Sequence, residues 1–244
     1  PIVEKINPLG LLFMSACFGS IGLYMIGSSQ GVVWVWIAVT VYGLGKTFLW
    51  PTMLGVVGEL FPKGGAITMG AMGGIGMLSA GLLGGPGIGY NQDYYATEKL
   101  EEIAPQTYER YSVAEANGFL FLPKIKGLDG SKVSVLNNDG QDLEKKVEQL
   151  DKEGKSDAYI SNLNTWWQGA EAFAPEDIGP VDEAGIYGGR MALKCTALVP
   201  LVMAIGYLIL VIYFYMKGGY KAEVLHGEEP DGEHYTGGVE GPVE

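Results

Sequence analysis

Apolar positions in this chain come in long unbroken runs rather than in alternation or in amphipathic stripes. No charged residue occurs from Pro8 to Gly45, from Gly64 to Gln92, or from Cys195 to Met216. About 20 apolar residues in a helix cross the roughly 30 Å of hydrocarbon in a bilayer. In any open conformation the backbone amides of such a run would go unpaired in lipid. The pattern therefore predicts an all-α membrane protein with four spanning helices, at about residues 9–27, 32–58, 66–85 and 190–216. Ser28-Ser29-Gln30-Gly31 is a short polar turn, so the second span returns antiparallel to the first. Glu59 to Gly65 closes the second, because its proline and glycines stop a helix. The third is expected to fray at Gly84-Gly85-Pro86-Gly87.

Residues 88–189 separate the third and fourth spans and are too long to be a plain connection. Thr97–Tyr111 and Gln141–Lys155 read as amphipathic or charged helices, and Asn162–Phe173 as a short helix carrying Trp166 and Trp167. That tryptophan pair suits either the core of the insert or the membrane interface. Between the first two helices, Phe119–Leu122 and Lys132–Leu136 read as strands, with Asp129-Gly130 as a hairpin turn signal. The expectation is a small α+β insert. Residues 217–244, rich in glycine and glutamate, are expected to form a disordered tail.

Charge follows the same partition. The insert holds 9 basic and 19 acidic residues, and the tail after Met216 holds two lysines against seven acids. Most of the formal net charge of −12 therefore lies outside the spans. Neither acidic part offers a basic surface to phosphate, which argues against nucleic acid as a partner. Four spans put both termini on one side. Lysines 5, 63, 217 and 221 flank that side, and Lys99, Arg190 and Lys194 the other. The small excess places the termini in the cytoplasm and the insert outside, in a plasma (inner) membrane. The opening Pro1-Ile2-Val3-Glu4-Lys5 has neither an initiator methionine nor a signal-peptide pattern, so an N-terminal part is expected to be missing.

Lys46 is the most informative residue. It sits near the middle of the second span, where a cation costs roughly 2.5–3.5 kcal/mol even on the lenient insertion scale. Tyr42, Lys46 and Trp50, each four residues apart, share one helix face. Such a stripe suits a water-filled cavity for a polar or anionic solute. A structural ion pair with an acid on another helix, or a lysine that snorkels, would also account for it. Pro51 follows, and by lacking an N–H and crowding the Thr47 carbonyl it should bend the helix there. The third span repeats the G-x-x-x-G spacing at Gly70/Gly74 and Gly81/Gly85, which lets another helix approach closely. Neither a metal-ligand cluster nor a phosphate-cradling loop is legible, and the two histidines, His226 and His234, lie in the tail. No metal and no cofactor is expected. Cys17 and Cys195 both fall within spans and read as small buried hydrophobes.

Four features together resemble the end of a major facilitator superfamily transporter, its ninth to twelfth helices. They are the short outer turn at Ser28, the segment Gly43-Leu44-Gly45-Lys46-Thr47-Phe48-Leu49-Trp50-Pro51, the loop Gly58-Glu59-Leu60-Phe61-Pro62-Lys63, and Gly81-x-x-x-Gly85-Pro86-x-x-Gly89. The third is similar to the family's acidic–Phe–Pro–basic inner loop. The fourth partly matches its glycine–proline motif, with Met72 and Tyr90 where that motif has glycine. The resemblance covers roughly 140 residues, and the large insert departs from the family pattern. It implies that the tenth-helix-like segment lines a central cavity, with Tyr42, Lys46, Thr47 and Trp50 toward substrate. It implies also that Glu59 and Lys63 gate or anchor the inner loop. The function implied is secondary transport of a small polar solute, a sugar or an organic anion, by alternating access. The rival expectation is a four-span scaffold whose large loop binds a partner. Tetraspanins share that outline but rely on loop cysteines that this insert lacks. An enzyme is not expected, since the insert carries no nucleophile–base pair.

Overall fold

The computed structural model describes residues 7–221, so the tail expected to be disordered falls, from residue 222, outside the described residues. Four helical stretches are long and apolar enough to cross a membrane: Pro8–Ser28, Val32–Leu60, a stretch within Pro62–Ile103, and one within Ala158–Met216. The first two are α1 (Pro8–Ser28) and α2 (Val32–Leu60). Asn7 starts α1 by accepting the Leu9 N–H at 3.0 Å, with Pro8 in the first turn where its missing N–H costs nothing.

The third apolar helix does not fray. α3 (Gly65–Ser79) runs through a π-helical turn at Ala80–Gly84 directly into α4 (Gly85–Ile103). Pro86 is the second residue after that turn. A proline ring would otherwise crowd the carbonyl of Leu82 one turn back, and the widened turn accommodates it. At 1.5 Å per residue the Pro62–Ile103 helix is about 60 Å long, twice the hydrocarbon thickness, so half of it projects beyond the apolar stretch. The last helix is built the same way. α9 (Ala174–Thr196) passes into α10 (Leu198–Met216) through Ala197, which keeps helical backbone angles.

α1 is the centre of the apolar part, packed along α2, α9 and α10. Its small residues make this possible. A Cβ at Gly22 would sit 2.5 Å from the Tyr42 backbone, and one at Gly45 would sit 2.5 Å from the Gly19 nitrogen. Ser20 adds a hydrogen bond to the Ala197 carbonyl at 2.8 Å. At the other end Leu9, Leu12 and Val56 form a buried cluster against Met53, Tyr207, Phe214 and Tyr220. α3, by contrast, buries none of its residues.

The insert is helical, which corrects the expected α+β fold. Between α4 and α9 lie α5 (Pro105–Tyr111), α6 (Gly130–Asn137), α7 (Gln141–Glu153) and α8 (Ala158–Ala170). Among the described residues no strand forms, only two isolated bridges, Ser112 to Leu128 and Asn117 to Ile125. Lys132–Leu136, read as a strand, lies in α6. The Asp129 carboxylate accepts from the N–H groups of Ser131 and Lys132, so the Asp-Gly pair is a helix start and not a hairpin turn. Five residues with apolar positions at 133, 135 and 136 fit either period, and burial of Val135 and Leu136 in a helical core decides it. Phe119–Leu122 is a tight turn, closed by the Leu122 N–H on the Phe119 carbonyl at 2.9 Å.

Leu100, Tyr111, Val135, Leu136, Leu143, Trp167 and Val181 make the core of the insert, with Trp166 packed against it. The tryptophan pair therefore belongs to that core. Asp177, 0% exposed, is held bidentately by Arg110, Nε to Oδ2 at 2.9 Å and Nη2 to Oδ1 at 2.5 Å, and accepts the Thr107 hydroxyl at 2.7 Å. These hydrogen bonds to Asp177 hold the Arg110 guanidinium above its ordinary pKa, and the guanidinium also stacks 4.6 Å from the Phe173 ring centroid. Burial likewise pushes the Tyr111 phenol up. Removing one partner of a buried pair leaves an uncompensated charge, at a cost of about 3–5 kcal/mol. Arg110→Ala should therefore lower the thermal unfolding midpoint of the insert markedly, with Arg110→Lys intermediate. Protease resistance of residues 88–189 against temperature measures it, and an unchanged midpoint would show that the pair contributes nothing.

Candidate functional site

α2 carries the residues singled out by the sequence. Its buried positions are Ala38, Gly45, Val56 and Val57, and Val56 belongs to the cluster around Leu9 and Leu12. Gly45 meets the α1 backbone at Ser15, Phe18 and Gly19. Lys46, the next residue, is turned about 100° from that contact and is exposed. Lys46 is the fifteenth residue of a 29-residue helix, its midpoint. No acidic side chain among the described residues pairs with it.

The stripe it belongs to is only partly covered. Tyr42 is half-buried because its backbone lies against Gly22. Trp50 leans toward α3, where its ring comes within 3.0 Å of the position a Cβ on Gly76 would take. Thr47 returns its hydroxyl to the Gly43 carbonyl at 2.8 Å. Its remaining polarity is therefore what the carbonyl leaves over. Pro51 stands inside α2 without ending it. The arrangement is a cation between two aromatic rings on an open helix face, next to a glycine-lined neighbour. Chemically the ammonium can hold an anionic or hydroxyl-bearing group by charge and hydrogen bonding.

The glycines of the third apolar helix fall into a different setting from those of the first two. Around Gly70, Gly74 and Gly81 the space a side chain would fill is open, and Gly85 meets only the Ala80 carbonyl at 3.9 Å. The close backbone contacts are instead made by Gly22, Gly27, Gly45 and Gly188. Gly45 on α2 stands opposite Gly19 on α1, and Gly22 stands opposite Tyr42. At the Leu60 end of α2, Glu59 accepts the Tyr220 hydroxyl at 2.6 Å, joining that end to the segment after α10. Lys63 lies in the single 3-10 turn Pro62–Gly64 between α2 and α3.

A depression of about 490 Å³ lies over the turn between α1 and α2, lined by Met25, Ser28, Ser29, Gln30 and Trp34. It is broadly open, and Trp34 is about 18 Å along α2 from Lys46 at 1.5 Å per residue. It forms no part of the site. Among the described residues no group of three or more His, Cys, Asp or Glu gathers as metal ligands.

The α1–α2 contact positions the stripe, and it tolerates no added atom. Gly45→Ala should force the two helices apart at an overpacking cost of about 1–3 kcal/mol. Gly43→Ala, with open space around it, should be neutral. Unfolding temperatures of the two variants in the same detergent give the comparison, and equal values would show that the helices yield freely there. Comparison with known proteins gave no match: no family model, no curated protein and no solved structure resembles the chain at a significant level.

Proposed function

We propose that these four helices are the closing part of a major facilitator-type secondary transporter for a small polar solute, in which Lys46 binds an anionic or polar group of the solute. The observation that carries this reading is the position of Lys46: mid-depth on an apolar helix, exposed, and without an acidic partner among the described residues. Hydrocarbon disfavours a bare ammonium there by roughly 2.5–3.5 kcal/mol, a cost that water, solute or a further helix meeting it would relieve. Tyr42 and Trp50 share the Lys46 helix face, and α3 stands beside Trp50 with Gly70, Gly73 and Gly74 uncovered. A cavity at mid-depth, closed from its far side by the other helices of the same transporter, satisfies all of these groups. Lipid covers the remaining apolar faces. Alternating access then rocks one half against the other around this midplane site.

In this arrangement the charge of Lys46 attracts the solute while the aromatic rings orient it. Thr47, hydrogen-bonded back to its own helix, contributes less. Glu59 and Lys63 lie at the inner end of α2, where the contact to Tyr220 ties the loop to the end of the last helix. The termini face the cytoplasm and the insert faces outward. The rival reading, a scaffold whose insert recruits a partner, rests on the insert having a core of its own. It assigns no work to Lys46, and that separates the two.

The complete transporter with Cys17 and Cys195 replaced by serine provides the test. Lys46→Cys in that background should react with a membrane-impermeant maleimide, and transported solute should slow the reaction. Lys46→Ala should lose uptake about tenfold or more at equal expression, since each 1.4 kcal/mol of binding is worth a factor of ten. An unreactive cysteine together with normal uptake would remove Lys46 from the site and leave the scaffold reading ahead.

A further inference from the structure

Between α5 and α6 the chain makes an excursion, residues 112–129, that descends along α4. Its contacts run in order. The Lys126 carbonyl lies 3.5 Å from the Thr97 hydroxyl, and Gly127 lies against Asp93. The Tyr90 hydroxyl donates to the Pro123 carbonyl at 2.8 Å, and the Phe119 ring packs on Gly87. The excursion therefore runs from the body of the insert back toward α3, with its tip lowest. Gly87 is only two residues beyond Gly85, where the apolar stretch of that helix ends.

The tip is apolar and uncovered. Phe121 is 90% exposed and Leu120 is 68% exposed. Leu120 has a φ of 52°, in the left-handed region that branched apolar residues rarely adopt. The turn thus holds two large apolar side chains outward where water would disfavour them. Residues 116–123 carry no charge, and Lys124 and Lys126 follow, exposed, within an insert whose net charge is otherwise strongly acidic. On α3 and the start of α4 the exposed Leu78, Leu82, Leu83 and Ile88 continue the apolar surface up to this level.

We infer that the Phe119–Pro123 tip is a membrane anchor, with Leu120 and Phe121 in the adjoining acyl–headgroup boundary and Lys124 on lipid phosphates. The occupant is lipid because the tip is continuous with the apolar band of α3 and is followed by Lys124, next to Pro123 at the level of Tyr90 and so about 7 Å beyond the end of that band. It docks the insert against the bilayer at the point where the π-helical turn lets α3 pass into α4. This inference requires only that α3 crosses the membrane; it is independent of transport and of Lys46.

A single bimane label reports it. In the full chain lacking Cys17 and Cys195, reconstituted in phosphatidylcholine–phosphatidylglycerol vesicles, Phe121→Cys carries the label. Lys145→Cys on exposed α7 serves as the aqueous reference. Phe121 makes so little contact that the variant should fold normally. The anchor requires a blue-shifted emission at position 121, lost mostly to shallow spin-labelled lipid and little to iodide, with the reverse at 145. Iodide quenching at 121 equal to or above lipid quenching would overturn it. Protection from both quenchers would overturn it as well, and would assign the tip to a protein partner.

Discussion

The crossing of α4 over α9 is the contact on which the rest of the architecture depends. Gly188 presents no side chain where the α4 backbone passes, and a Cβ there would collide with the Gln92 carbonyl. Both helices continue unbroken into apolar stretches, so this one contact fixes the direction in which each leaves the insert. Beyond it α3 and α10 separate. α1 then settles beside α9 and α10, with Gly27 against the Arg190 carbonyl and Lys194 5.9 Å from the centroid of Tyr24. α2 leans on α1 alone along most of its length. Packed interiors transmit such constraints because they have little room to deform.

The insert is tied to the same crossing from its other side. Arg110 at the end of α5 reaches Asp177 in the first turn of α9, and Lys132 donates to the carbonyls of Arg110 and Ser112. Trp166 closes the group by donating its indole N–H to the Arg110 carbonyl at 3.2 Å. The insert is thereby a rigid extension of two long helices rather than a loop hung between them. A displacement of α3 relative to α10 would be felt in the insert, and the reverse, since the same continuous helices carry both.

The apolar part shows the complementary economy. Helices α1, α2 and α10 meet through small residues and a buried cluster at one end, whereas α3 and one face of α2 remain open. A lysine at the middle of that open face is expensive to leave in hydrocarbon. Its exposure there, with most of the glycines of α3 open beside it, is the geometry from which the proposed polar cavity is argued.

Charge-free runs of about twenty residues were enough to locate four helices able to cross a membrane, because hydrocarbon forces every backbone amide to find its partner within such a run. The same local reading placed Lys46 at mid-helix beside Tyr42 and Trp50, since helical periodicity alone puts them on one face. Most of the insert's helices were legible for a similar reason: Gln141–Glu153 has a charged, amphipathic pattern long enough to be unambiguous. Lys132–Leu136 was not, because five residues carry both periods, and only the core around Val135 and Leu136 chooses the helix. Asp177 could not be told from the other carboxylates of an acidic segment until Arg110, 67 positions away, was brought against it. Nor could the contact glycines be told from the open ones, since Gly45 and Gly70 differ only in what stands opposite. The sequence by itself thus determined which segments are apolar helices and which cation sits within them, from interactions between near neighbours in the chain. The tertiary structure decided which of those residues touch, because close packing and buried ion pairs join positions whose separation along the chain carries no signal.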